Sequence, residues 1–222
     1  MRRTTGWLRL ALDWVMPALF LYLMAYRPGS GLWLHGVLGC TLLALFVLHH
    51  ALNWRWHRGL LRGRYAAPRM VFLALNAALL AASLALLASA LMLFGEVFDL
   101  QWLPVAPRAG RRWHTPAAAW CFTLAALHLG LHTHALLRRL EKALRARSRA
   151  LRWCWRAIFT LALAAGIFAF SRSALGPGMF RIPHEAPALH PAAMYLLFIL
   201  IGVAACLCVH LVMEAARRIA NA

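Results

Sequence analysis

The chain has 222 residues, of which 63% are hydrophobic and 14% charged, and its mean hydropathy is +0.66. This composition excludes a water-soluble domain of this size and indicates an integral membrane protein. The net charge of +18 comes from basic residues in short segments between apolar runs, with no recognition fold to carry them, which argues against nucleic-acid binding.

Six apolar runs of roughly twenty residues follow one another, and a helix of that length crosses ~30 Å of hydrocarbon. They lie at Trp7–Tyr26, Gly31–Trp54, Arg69–Phe94, His114–Leu137, Leu151–Phe170 and Pro191–Met213. Asp13 and Pro17 interrupt the first run and no small-residue cleavage site follows it, so we expect it to be retained as a span rather than removed as a signal peptide. We predict an all-α polytopic membrane protein with six transmembrane helices.

The distribution of Lys and Arg predicts the orientation of these spans. Of the 24 basic residues, 18 lie near the start of the first run, around the junctions of the second with the third run and of the fourth with the fifth, and in the tail, and six lie near the other junctions. Because cytoplasmic loops carry the excess of basic residues, both termini are expected to be cytoplasmic. The basic surface is expected to attract anionic lipid head groups.

The first run carries Arg9 and Asp13 one helical turn apart. We expect an intrahelical ion pair near the cytoplasmic interface, and a proton-handling role for Asp13 is the alternative.

The second run carries two histidines, His35 and His49, fourteen positions apart. On a helix this spacing is a rise of ~21 Å and a rotation of ~1400°, about 40° short of four turns, so both imidazoles lie on one face at two depths. Gly39, one turn from His35, removes side-chain bulk where a flat macrocycle would lie against the helix. His50 is rotated away from this face, and we expect it to be a neighbour.

The fourth run repeats this spacing with His114 and His128, and a shift of 79 positions superposes the two histidine pairs and three leucines. The second and fourth spans run in the same direction, so His35 faces His114 and His49 faces His128 at equal depth. A lone histidine in a membrane helix is often only a hydrogen-bonding residue. Four at one repeated spacing predict two b-type haems, each held by two histidines, in a four-helix cytochrome b-like bundle.

Other polar residues receive supporting roles in this prediction. Arg111 and Arg112 precede His114 and are candidates to neutralise the propionates of the outer haem, with solvated loop charge as the alternative. His132 lies on the ligand face ~27 Å from His114, so we expect it beside the inner haem or at a propionate rather than on the iron. The polar residues of the third run, Asn76, Ser83 and Ser89, are expected to serve packing.

We predict that residues 1–140 form the haem-binding core from two helix-pair repeats. Residues 141–222 would add two further spans, a candidate degenerate third repeat. The segment from His190 resembles the segment from His114, but Ala204 stands fourteen residues after His190, where a second ligand would be needed.

Three stretches, between roughly Leu23 and His134, resemble the flavinylation-associated cytochromes, a family of bacterial membrane proteins. They are LMAYRPGSGLWLHGVLGCTLLALFVLHHALNWRW, GRYAAPR and RRWHTPAAAWCFTLAALHLGLHTH. The resemblance implies a b-haem module of the bacterial cytoplasmic membrane that exchanges electrons with extracytoplasmic partners, often flavinylated ones. The chain departs from the family at Gly36, where an acidic residue is frequent.

The expected function is electron transfer across the membrane between a quinol or cytoplasmic-side donor and an extracytoplasmic redox protein. The chain would be an electron-transfer subunit rather than a stand-alone enzyme, and a quinone is a further candidate cofactor. Two alternatives lack haem. One is a histidine-dependent transporter that uses Asp13 as a proton relay, and the other is a transition-metal site formed by His128, His132 and His134.

Overall fold

The computed structural model describes residues 2–26, 31–59, 66–100, 102, 106–182 and 189–221. Within these ranges the chain is almost entirely helical and contains no strand, which confirms the predicted all-α class. The described helices are α1 (Arg2–Met24), α2 (Leu32–Leu52), α3 (Trp54–Gly59), α4 (Ala67–Val97), α5 (Pro107–Arg147), α6 (Arg149–Arg172), α7 (Leu175–Phe180) and α8 (Pro191–Asn221). The stretches 27–30 and 63–65, which carry part of the family resemblance, lie outside the described residues.

Five of the six long helices, α1, α2, α4, α6 and α8, are long and apolar enough to cross a membrane. The chain is therefore a multi-pass membrane protein. The sixth, α5, is not among these five helices. It is 41 residues long, and the histidines of its central part and the basic residues of its last third lower its hydropathy. A sixth span at His114–Leu137, and the orientation of the termini, stay predictions.

The helices group into two compact units. Unit 1 comprises Met1–Arg64 and Leu84–Ala118, and unit 2 comprises Tyr65–Ser83 and Ala119–Ala222. Each unit therefore contains part of α4 and part of α5. The predicted domain boundary at residue 140 is not one of the unit boundaries, and that division stays a prediction.

In unit 1, α1 packs against α2 through two polar contacts. Arg9 donates from Nη2 to the carbonyl oxygen of Leu52 at 2.7 Å, and a carboxylate oxygen of Asp13 lies 3.7 Å from Nδ1 of His49. The expectation of an ion pair between Arg9 and Asp13 is wrong, because each of these side chains contacts α2 instead. The last carbonyl groups of α2 have no donor within their own helix, so one of them accepts the guanidinium.

Gly36 marks a close approach in unit 1 between α2 and the end of α4. A Cβ added at Gly36 would lie 2.5 Å from Cγ1 of Val97 and 3.0 Å from Cζ of Phe98. An acidic side chain, frequent at this position in the resembling family, would therefore displace both neighbours. The departure from the family pattern is thus accompanied by tight packing.

In unit 2, glycines let α8 approach two other helices closely. A Cβ added at Gly130 of α5 would lie 2.8 Å from Cβ of Val209, and one added at Gly166 of α6 would overlap Cβ of Ala204. Beside Gly130, Leu131 is buried with Val209 and Met213, and side chains from the first turns of α4 pack against this cluster. These contacts fix the positions of the polar side chains on α5 and α8.

Candidate functional site

Unit 1 brings the two predicted outer histidines together. His35, in the first turn of α2, and His114, in α5, have ring centroids 6.2 Å apart, with an angle of 73° between the ring planes. The ring centroid of Tyr26 lies 4.6 Å from that of His35.

This spacing is compatible with a metal ion between the two rings. A bond from a metal ion to an imidazole nitrogen is about 2 Å long, so two imidazoles on opposite sides of one ion have centroids roughly 6 Å apart. On the face of α2 that carries His35, a Cβ added at Gly39 would meet no described atom within 4 Å. The distance between the rings of His35 and His114 and the space beside Gly39 are therefore compatible with a haem whose iron both imidazoles would bind.

Ser89 determines which nitrogen of His114 carries the hydrogen. The serine is buried, and its Oγ donates to the carbonyl oxygen of Leu86 at 2.7 Å. Oγ also lies 3.2 Å from Nδ1 of His114. Because the hydroxyl hydrogen points to Leu86, Oγ accepts from Nδ1–H, and Nε2 of His114 keeps its lone pair for a metal ion.

In unit 2, Asn76 accepts a hydrogen bond from Nδ1 of His128, as Ser89 does from Nδ1 of His114. Its Nδ2 donates to the carbonyl oxygen of Phe72 at 2.8 Å, which orients Oδ1 to accept from Nδ1 of His128 at 2.6 Å. Nε2 of His128 therefore also keeps its lone pair. Nε2 of His132 lies 3.2 Å from this atom and is placed to donate to it. An iron bound at Nε2 of His128 would replace this contact. His132 therefore adjoins the predicted ligand, and its place beside an inner haem or at a propionate stays a prediction.

His49 has a carboxylate partner, since Nδ1 lies 3.7 Å from Oδ1 of Asp13. Its neighbour His50 is engaged elsewhere, because Nδ1 of His50 lies 3.0 Å from Nε2 of His57 in α3. His49 belongs to unit 1 and His128 to unit 2, so each is described by its own contacts, and the inner histidine pair stays a prediction.

We had expected the polar residues of α4 to serve only packing, but each of them contacts a polar side chain of α5. Asn76 contacts His128, Ser83 lies 3.5 Å from Sγ of Cys121, and Ser89 contacts His114, each pair within one unit. The three α4 residues are seven and six positions apart in the sequence. Their α5 partners, His128, Cys121 and His114, are seven positions apart and follow in the opposite order. This antiparallel spacing between consecutive helices was present in the sequence and could have revealed the partners.

The two arginines before His114 have partners of their own. Nη1 of Arg111 donates to both carboxylate oxygens of Glu96 at 2.5 and 2.6 Å. The guanidinium of Arg112 lies 5.8 Å from the ring centre of Trp113. Glu96 therefore already compensates the charge of Arg111, and contacts of either arginine with a haem propionate stay a prediction.

The alternative three-histidine metal site is not formed. His132 contacts His128, but Nδ1 of His134 lies 3.1 Å from Nδ1 of His210 in α8. Across the described ranges, no group of three or more His, Cys, Asp or Glu side chains could hold a metal ion.

Compared with known proteins, the chain matches no family model, no curated protein and no solved structure. The likeness to the flavinylation-associated cytochromes therefore rests on the sequence motifs alone.

Proposed function

We propose that the chain is a b-type cytochrome that carries electrons across the membrane. Its outer haem is held by His35 and His114 and its inner haem by His49 and His128. The observation that carries the proposal is the polar side chain that lies near Nδ1 of three of these histidines. In two of these four histidines a side chain on another helix lies within hydrogen-bond distance of Nδ1: Ser89 at His114 and Asn76 at His128. At His49 the carboxylate of Asp13 lies 3.7 Å from Nδ1.

Such partners are what haem ligation requires of a protein. A group that accepts a hydrogen bond from Nδ1–H fixes the tautomer and the ring orientation, and it makes Nε2 a stronger ligand. The spacing of 6.2 Å between the rings of His35 and His114 supports the outer site independently. The fourteen residues from His114 to His128 within one helix correspond to a rise of ~21 Å, which supports two sites at two depths.

A haem iron with two imidazole ligands exchanges one electron at a time and has no coordination position left for oxygen or substrate. The chain supplies neutral imidazoles, their orientation and an apolar surrounding. It would act as an electron-transfer subunit between a quinol or cytoplasmic-side donor and an extracytoplasmic redox protein. A bacterial cytoplasmic membrane is the setting that the motifs imply.

Optical spectroscopy of the purified protein tests the proposal. Dithionite should sharpen the Soret band and produce an α band, and extracted haem should amount to two per chain. Haem is supplied during expression, and helical circular dichroism establishes that the preparation is folded. A folded, colourless preparation would contradict the proposal.

The orienting side chains give a separate prediction for the potentials. Ser89→Ala and Asn76→Leu each remove the acceptor at one Nδ1, so the imidazole becomes a weaker donor and stabilises ferric iron less. Each variant should raise the midpoint potential of one haem, a different one in each case, and weaken its binding by roughly 10- to 100-fold. Redox titration and haem titration of the apoprotein measure both effects.

Ser83→Ala is the matched control for these variants. Its hydroxyl lies on the same helix but donates to the carbonyl oxygen of Leu79 and meets Cys121 rather than a histidine. Both potentials should be unchanged in this variant. A shift as large as that in Ser89→Ala would mean that the effect comes from packing of α4.

A further inference from the structure

We infer that unit 2 contains a proton-binding site separate from the proposed haem ligands, formed by His134 of α5 and His210 of α8. Each residue is only 2% exposed. Their Nδ1 atoms lie 3.1 Å apart, which is a hydrogen-bond distance. This inference does not depend on haem binding.

Each imidazole meets a carboxylate with its other nitrogen. Nε2 of His210 lies 3.4 Å from Oε1 of Glu141, and Nε2 of His134 lies 3.6 Å from Oε1 of Glu214. The four side chains therefore form a row in which two imidazoles lie between two carboxylates. Glu214 also pairs with Nε of Arg138 at 3.2 Å.

The third helix around the pair, α6, adds aromatic and basic groups. Nε1 of Trp155 donates to Oε1 of Glu141 at 3.3 Å, and the ring centre of Phe159 lies 6.2 Å from that of His210. Arg152 and Arg156 of α6 line an open cleft together with Glu141. The charged groups around the pair are therefore Glu141 and Arg138 from α5, Glu214 from α8, and these two arginines.

Counting hydrogens shows why this row binds a proton. A contact between two Nδ1 atoms needs one hydrogen between them. If both rings are neutral, the ring that donates this hydrogen has a bare Nε2, which turns a lone pair toward a carboxylate. One additional proton gives both rings an N–H that points to a carboxylate and leaves the shared hydrogen in place. Every ring nitrogen in the row therefore takes part in a hydrogen bond only when the two rings carry three hydrogens, one more than two neutral imidazoles carry.

One end of the row shows the same requirement. Nε2 of His134 is buried and has no hydrogen-bond partner among the described residues, whereas Oε1 of Glu214 lies 3.2 Å from Nε of Arg138. A buried polar atom without a partner is costly. A hydrogen on Nε2 directed to the carboxylate of Glu214 would give this nitrogen a partner. The opposite end provides access, because the side chain of Glu141 is 21% exposed and lines the cleft.

The site thus exchanges one proton with the cleft along the order Glu141, His210, His134. No bond other than N–H or O–H changes in this exchange, and no redox partner is needed. The ligand is the proton itself.

Nitrogen NMR of histidine-labelled full-length protein in lipid nanodiscs tests the assignment. As the pH is lowered we expect signals of rings protonated on both nitrogens to appear, together with a hydrogen shared between two imidazoles. His134→Asn and His210→Asn should each abolish the shared-hydrogen signal. His190→Asn is the control, because this exposed histidine accepts from the backbone N–H of Ala192 through Nδ1 and should lose only its own signal.

Two carboxylate variants keep the test decisive if the histidine variants do not fold. Glu141→Gln and Glu214→Gln each remove a negative charge that faces a ring N–H, so the additional proton should leave at a lower pH than in the wild type. Glu141→Gln should also slow exchange of the shared hydrogen with water, whereas Glu214→Gln should not. Two rings that stay neutral at every pH at which the wild type is folded, or carboxylate variants with wild-type titration, would overturn the inference.

Discussion

Replacing His35 with alanine is expected to remove one of two haems, and replacing His114 with alanine is expected to remove the same one. The reason is the spacing of 6.2 Å between the two rings, which suits a single iron bound from both sides. Losing an orienting neighbour of a metal ligand costs roughly 10- to 100-fold in affinity, and losing the ligand itself costs more. Each variant should therefore be purified with one haem per chain.

The double variant distinguishes one shared site from two separate sites. If His35 and His114 serve the same haem, replacing both removes no more haem than replacing either one, so His35→Ala/His114→Ala should also retain one haem. His190→Ala should retain two. The measurements are extracted haem per chain and a redox titration. The two single variants and the double variant should lack the same redox component. A double variant without haem would show that the two residues serve different sites.

The extent of the long helices was largely predictable, since hydropathy reports the part of a helix that lies in hydrocarbon. α2 lies within the predicted run, and α8 begins at Pro191 as expected, because proline is well suited to a first helical position. α5 extends beyond the predicted run at both ends. Its last turns are charged, and a helix can continue beyond the membrane without any apolar signal. The six-residue α3 and α7 are too short to show a period.

The candidate site was predictable where it depends on spacing within one helix and unpredictable where it depends on contacts between helices. The repeat at a shift of 79 positions predicted that His35 and His114 would face each other, and their rings do. The partner of His49 was not foreseen, because Arg9 lies one turn from Asp13 and was the obvious partner for that carboxylate. The rotation of α1 against α2, which the sequence does not specify, decides between the two.

The pairing of His134 with His210 shows the same limit over a longer separation. The two residues are 76 positions apart in the sequence. Within the last predicted span His210 could be compared only with His190, which directly precedes α8, and that spacing is wrong for a shared face. Their contact depends on how closely α5 and α8 approach, and Gly130 permits that approach. A glycine in an apolar run does not by itself indicate which helix will pack against it.

Replacing His49 or His128 with alanine is expected to remove the inner haem and leave the outer one. Oδ1 of Asn76 accepts from Nδ1 of His128 at 2.6 Å, which favours Nε2 as the ligand atom of His128. At His49 the carboxylate of Asp13, 3.7 Å from Nδ1, attracts a hydrogen to the same ring position. The residual redox component should be the one that His35→Ala and His114→Ala remove. Extracted haem and redox titration measure this outcome, and the two sets of variants should be complementary.

Neighbouring histidines supply matched controls for the inner site. His50 is engaged by Nε2 of His57, and His132 donates to His128 rather than replacing it, so His50→Ala and His132→Ala should each retain two haems. His132→Ala is the sharper of the two, because His132 and His128 lie one turn apart and their Nε2 atoms are 3.2 Å apart. In that variant Asn76 still orients the ring of His128, so the inner haem should bind. Loss of a haem in His132→Ala together with its retention in His128→Ala would move the ligand by one turn of α5 and overturn the inner assignment, while leaving the outer pair intact.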